Sequence, residues 1–237
     1  MQSRRPIDLP TDTCALPSPI GVATWVGLTS MAALALGALG SHGLPIPESA
    51  DLYGRTVRAV AGAPPWIGHG FQVVSELGLV LLAAAFALAG WRYRHRADAV
   101  SRVLAGGVGV VIAYVMSELL KVRLVQPRPC LGLDPGVAIA ACPAADDWSL
   151  PSNHATIAIA LAVALVFAIP RAAWWAVPLA LAVGAARVVI GVHAPHDVAT
   201  GALLAAAVVT VATLALQRPA QIVACGVVDR GWLTSMR

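Results

Sequence analysis

The sequence predicts an all-α polytopic membrane protein with six transmembrane helices, and three observations carry that prediction. Of 237 residues, 58% are hydrophobic and only 12% are charged, where soluble domains hold about a quarter charged residues. The mean hydropathy is +0.76. Six apolar stretches, each near the roughly 20 residues that cross a hydrocarbon core of about 30 Å, run almost end to end. The shortage of charge excludes a disordered chain, a nucleic-acid-binding domain and a small disulfide scaffold. In such a chain the net charge of +4 matters less than where the basic residues lie.

The stretches are residues 20–40, 71–90, 103–120, 153–169, 173–191 and 198–216. The first lies deep in the chain and well beyond Arg4 and Arg5, so it reads as a retained helix rather than a cleaved signal. The second and third flank Trp91-Arg-Tyr-Arg-His-Arg96, a basic turn that anchors topology and attracts anionic lipid. The last three follow one another through short connections. Glycine and alanine recur in all six, which suits close helix approach inside a membrane. With both termini cytoplasmic, ten of the sixteen basic residues fall on the inner side: Arg4, Arg5, Arg92, Arg94, Arg96, Arg102, Arg171, Arg218, Arg230 and Arg237. The chain then reads as one domain, 1–237, with cytoplasmic tails at 1–19 and 218–237 and long outer loops at 41–70 and 121–150. The first loop has room for a short surface helix within 51–60. Cys130 and Cys142 share the second, where a disulfide is permitted but not fixed by spacing. Cys14 and Cys225 fall on the reducing side and read as free thiols.

Ionisable groups near a bilayer are expensive and tend to be functional. Lys121, the only lysine, ends the third helix and is followed by Arg128-Pro129. The fourth helix opens with Pro151-Ser152-Asn153-His154. Arg187 closes the fifth, and His193 and Asp197 lead into the sixth. Charge counting puts all of them at one membrane face. Three cations there suit a phosphate dianion, two as planar forks and one as a point charge. Ser152 and Asn153, at a helix N-terminus, add backbone N–H donors. Two histidines and a carboxylate supply a nucleophile, a proton donor and a group to fix a tautomer. Positioning and charge neutralisation then suffice for phosphoryl transfer without a metal or other cofactor.

Together, Lys121-x6-Arg128-Pro129, Pro151-Ser152-Asn153-His154 and Arg187-x5-His193-x3-Asp197 resemble the three-part signature of the type 2 phosphatidic acid phosphatase (PAP2) superfamily in order and spacing. The resemblance implies His193 as a nucleophile that becomes phosphohistidine, Asp197 as its hydrogen-bond partner and His154 as general acid. It implies Lys121, Arg128 and Arg187 as phosphate ligands, helped by Ser152 and Asn153. Asn153 replaces the commoner glycine and Ala186 the usual serine, and neither change removes a group the chemistry needs. The expected substrate is a membrane lipid phosphate or diphosphate, foremost a polyprenyl diphosphate recycled at the outer face of a bacterial cell membrane. Phosphatidic acid, phosphatidylglycerophosphate and a prenyl-phosphoryl sugar phosphate stay open. So do phosphotransfer to another acceptor, a metal-dependent hydrolase and an idle lipid-binding or transport protein.

Other polar residues read more blandly. His196, beside Asp197, reads as structural rather than as part of a metal site with His193, because Pro195 breaks the register and nearby cations repel a metal. Glu76 and Glu118 read as counter-ions to the arginines. Asp146, Asp147 and Trp148 receive no role.

Overall fold

The protein is described by a computed structural model covering residues 47–133 and 138–229. The expected first transmembrane stretch at 20–40 lies outside the described residues. Those described form an all-helical bundle: α1 (Pro47–Ala61), α2 (Pro65–Arg92), α3 (Ala97–Leu124), α4 (Asn153–Ala168), α5 (Ala173–Val189) and α6 (Pro195–Asp229). Short 3₁₀ turns lie at Pro129–Gly132 and Pro170–Ala172. Among the described residues, four helices are long and apolar enough to cross a membrane, and α4 is apolar but shorter, with 16 residues.

Helices α2, α3 and α6 extend beyond their apolar stretches, while α4 and α5 end one and two residues short of theirs, because backbone hydrogen bonding, not hydropathy, decides where a helix stops. Helix α2 starts at Pro65, at a position where a missing N–H costs nothing, and α6 starts at Pro195. α6 runs on through Pro219 to Asp229. Its 35 residues would span about 52 Å at 1.5 Å each, more than a hydrocarbon core requires. The surface helix is longer than expected, with Ser49, Tyr53 and Val57 on its buried side.

Helix α4 is the axis of the bundle. Nine of its 16 residues are buried, Ala155 to Leu165, as expected for a helix apolar on every side. It packs on α2, α3, α5 and α6, and α3 packs most extensively on α6. Alanines at 158, 160, 162 and 164 allow the neighbouring backbones in, and Leu82, Leu165, Val183 and Val209 fill the space between. Gly201 sets the contact that matters most for function. A Cβ there would lie 2.7 Å from the Ser152 carbonyl and 2.7 Å from Thr156 Oγ1. A backbone carbonyl cannot yield as a flexible side chain can, so this close approach of α6 to the start of α4 requires a glycine at 201. Gly201→Ala is expected to cost about 1–3 kcal/mol through overpacking and to lower activity by moving His154. The melting temperature and phosphate release of the purified variant check both.

The second long loop is stapled by a Cys130–Cys142 disulfide, with Cα atoms 5.8 Å apart. Cys225 is not the free thiol expected, since no described cysteine is free.

Candidate active site

The end of the bundle where α3 and α5 finish and α4 and α6 begin brings together every residue the three motifs single out. Helix α3 ends in a left-handed Val125, whose N–H returns to the Lys121 carbonyl, a common way to close a helix. That cap turns the chain so that Gln126 and Arg128 reach back over the bundle. The chain enters α4 through a cis Leu150–Pro151 bond.

His193 lies in the short link between α5 and α6 and is 2% exposed; Asp197, one turn into the next segment, is 0% exposed. Arg128 Nη1 approaches His193 Nε2 at 3.0 Å. A guanidinium can only donate, so Nε2 accepts and the ring proton sits on Nδ1. Nδ1 lies 3.5 Å from Asp197 Oδ2, with Ser149 between them: its Oγ is 3.3 Å from Nδ1 and donates to Oδ2 at 2.6 Å. The buried carboxylate also accepts from the Ala194 N–H at 2.8 Å and from Gln126 Nε2 at 3.1 Å. These donors satisfy a charge that would otherwise be costly to bury. Burial lowers the His193 pKa to about 4, Asp197 opposes the shift, and Arg128 and Arg187 add to it. At neutral pH His193 therefore presents an uncharged Nε2 whose lone pair accepts from Arg128.

Arg128, itself buried, is fixed on its other edge. Nε donates to the Asp147 carbonyl and Nη2 to the Asp147 carboxylate, both at 2.9 Å, while Nη1 also meets the Val192 carbonyl at 3.1 Å. Asp147 further pairs with Lys121 at 3.7 Å, and Glu118 pairs with Lys121 at 3.6 Å. Lysine at 128 would be a point charge that cannot serve both edges. Arg128→Lys is expected to reduce kcat/KM by about 10–100-fold, on the scale of losing one charge-assisted hydrogen bond, as steady-state phosphate release would show.

Across the site, Arg187 Nη1 lies 3.4 Å from Ser75 Oγ and 3.6 Å from Glu76 Oε1, and the same oxygen lies 3.2 Å from His154 Nε2. Arg187 keeps a buried Nε with no hydrogen-bond partner, and so does the Ser152 hydroxyl. A phosphate oxygen would satisfy either.

The structure departs from the sequence reading at the start of α4. The Ser152 N–H donates to the Asp197 carbonyl at 3.0 Å, so it is not a free anion donor; only its hydroxyl is. The Asn153 amide accepts from Ser117 at 2.9 Å and donates to Glu118, so this side chain joins α3 to α4. His196 bonds Ser49 of α1 at 2.8 Å, meets Gln126 Nε2 at 2.7 Å and stands 3.2 Å from Asp197, a structural place as expected. The Tyr53 hydroxyl donates to the Gly191 carbonyl at 2.7 Å, and burial pushes that phenol up to about 12. Helix α1 is thus tied to the link that carries His193. Sequence reading missed Ser149, Gln126 and Asp147, which bear no motif of their own.

Fold and site together define a helical membrane protein built around a histidine–carboxylate pair and a ring of cations suited to phosphate. The chain belongs to the PAP2 superfamily, whose family model matches residues 102–220. It is 29% identical over 136 residues to an undecaprenyl-diphosphatase, BcrC, of Bacillus subtilis, covering 57% of this chain and 67% of that one. It is 37% identical over 98 residues to an undecaprenyl-diphosphatase of Sulfolobus acidocaldarius, covering 41% of this chain and 47% of its relative. It is 32% identical over 163 residues to a decaprenylphosphoryl-5-phosphoribose phosphatase of Mycolicibacterium smegmatis, covering 65% of this chain and 82% of the other. The fold is that of a transmembrane PAP2-type phosphatidylglycerolphosphate phosphatase of Bacillus subtilis, with a TM-score of 0.59 at 20% identity, over 78% of this chain and 93% of that one.

Proposed function

We propose that the protein hydrolyses a lipid diphosphate, foremost a polyprenyl diphosphate to polyprenyl phosphate and phosphate, through a phosphohistidine on His193 and without a metal. One observation supports this reading: His193 Nε2 is uncharged, its lone pair accepts from Arg128 Nη1, a donor that a bound phosphoryl oxygen would take over, and Ser149 and Asp197 back the opposite nitrogen. In the first half-reaction Nε2 bonds to phosphorus as the bond to the leaving oxygen breaks, and His154 gives that oxygen a proton. In the second, water attacks phosphorus, the N–P bond breaks, and His154 takes the water's proton. Lys121, Arg128 and Arg187 neutralise the phosphoryl oxygens, the electrostatic role a metal would otherwise fill. The Asp197 carboxylate stabilises the charge that builds on the His193 ring.

The names of the three sequence relatives support a polyprenyl substrate. The outward orientation rests on the arginines: Arg96, Arg102 and Arg171 gather at the opposite end of the bundle, the cytoplasmic end by the positive-inside rule. With that orientation the site takes a headgroup from the outer leaflet of a cell membrane while the tail stays in the bilayer.

The test is phosphate release by purified protein in EDTA. Polyprenyl diphosphate, phosphatidic acid, phosphatidylglycerophosphate and a prenyl-phosphoryl sugar phosphate are offered separately. The expected result is release that persists in chelator and is fastest with the polyprenyl diphosphate. Loss of release in EDTA overturns the metal-independent mechanism, and a faster alternative lipid replaces the substrate. No release from any lipid leaves a lipid-binding protein.

A further inference from the structure

Helix α2 lies outside all three motifs, yet it delivers two polar side chains to the site. Between Pro65 and Arg92 it holds one acidic residue, Glu76, placed within a segment apolar enough to span a membrane. A carboxylate there is costly unless something on the protein uses it. Its depth is set by packing. A Cβ on Gly78 would lie 2.6 Å from Val183 Cγ2 and 3.3 Å from Leu179 Cδ1, so α2 approaches α5 closely at that level. Three and two residues before Gly78, Ser75 and Glu76 meet Arg187, which lies one turn after Val183 on α5. Close packing at Gly78 thus fixes the height at which the carboxylate enters the site.

A counter-ion for Arg187 alone would need only proximity to the guanidinium. Glu76 does something more particular: one oxygen, Oε1, lies 3.2 Å from His154 Nε2 and 3.6 Å from Arg187 Nη1. We propose that Glu76 is the positioning residue of the general acid, holding the His154 imidazole at a fixed angle and distance from the arginine that binds the phosphoryl group. This rests on the reading of His154 as the proton donor. A donor contributes about 10²–10⁴-fold only when its ring is held so that the proton reaches the leaving oxygen as the P–O bond breaks. The nucleophile has Ser149 and Asp197 to orient it, and the acid has Glu76 from another helix.

Leaving-group dependence separates this role from a structural one. Breaking the bond to an alkoxide requires a proton, whereas a nitrophenolate departs without one. The experiment compares kcat/KM, which reports the steps up to the phosphohistidine, for octyl phosphate and p-nitrophenyl phosphate. Wild type, Glu76→Gln, Glu76→Asp and His154→Ala are assayed on both. The expected result is that Glu76→Gln lowers the octyl phosphate value at least about tenfold more than the nitrophenyl value. His154→Ala shows the same bias more strongly, and Glu76→Asp restores part of it. Equal losses on the two substrates would mean that Glu76 serves Arg187 or the packing alone, and the proposal falls. Bias in His154→Ala without bias in Glu76→Gln also overturns it while leaving the acid assignment intact. Absence of bias in His154→Ala removes the general acid itself, and the proposal with it.

Discussion

His193→Gln is expected to abolish phosphate release from every lipid substrate, with kcat reduced by at least about 10⁴-fold, the scale seen when a nucleophile is removed from a covalent mechanism. Glutamine keeps much of the volume and an acceptor for Arg128, so the fold should survive. Brief reaction with phosphate-labelled lipid should leave label on the wild-type protein and none on the variant. The wild type should also lose kcat/KM as the pH falls through about 4. Burial places the His193 pKa there, so the free base is present above that value and protonated below it. A variant that still accumulates labelled protein would place the nucleophile elsewhere.

What could be read in the sequence, and what could not, divides along physical lines. The apolar helices among the described residues were legible because a bilayer imposes length and apolarity on each helix separately, so a local window suffices. The motif residues were legible because Lys121, Arg128, His154, Arg187, His193 and Asp197 have fixed spacings within short segments, and the structure gathers them at one end of the bundle. Ser149, Gln126 and Asp147 were not, because their meaning lies in contacts far along the chain: Ser149 reaches Asp197 and Gln126 reaches His196. A polar loop residue has no period to betray which partner it meets. Glu76 was legible as a counter-ion to the arginines, and it does approach Arg187 at 3.6 Å; its link to His154 depends on how closely α2 packs on α5 at Gly78. The Ser152 N–H at the start of α4 was misjudged for a related reason. A helix N-terminus offers free N–H groups in isolation, but here Gly201 brings α6 against α4 and the Asp197 carbonyl takes the Ser152 N–H.

Asp197→Asn is expected to reduce kcat by about 10³–10⁴-fold, comparable to the loss when the orienting carboxylate of a histidine nucleophile–base system becomes an amide. The carboxylate accepts from Ser149, the Ala194 N–H and Gln126, and no solvent reaches it. An amide has one acceptor oxygen and an NH₂ group that must then face a donor. Either the Gln126 amide or the Ser149–Ala194 pair loses its acceptor, costing about 1–3 kcal/mol. The charge that forms on His193 at phosphoryl transfer would also lose its counter-charge. Ser149→Ala removes the hydroxyl between ring and carboxylate but keeps the charge, so a smaller fall, about tenfold, is expected. Single-turnover rates of labelled protein formation in the two variants, compared at matched melting temperature, measure the difference. Equal losses would make the hydroxyl relay, not the charge, the source of orientation. A near wild-type rate in Asp197→Asn would show that Arg128 alone sets the tautomer of His193.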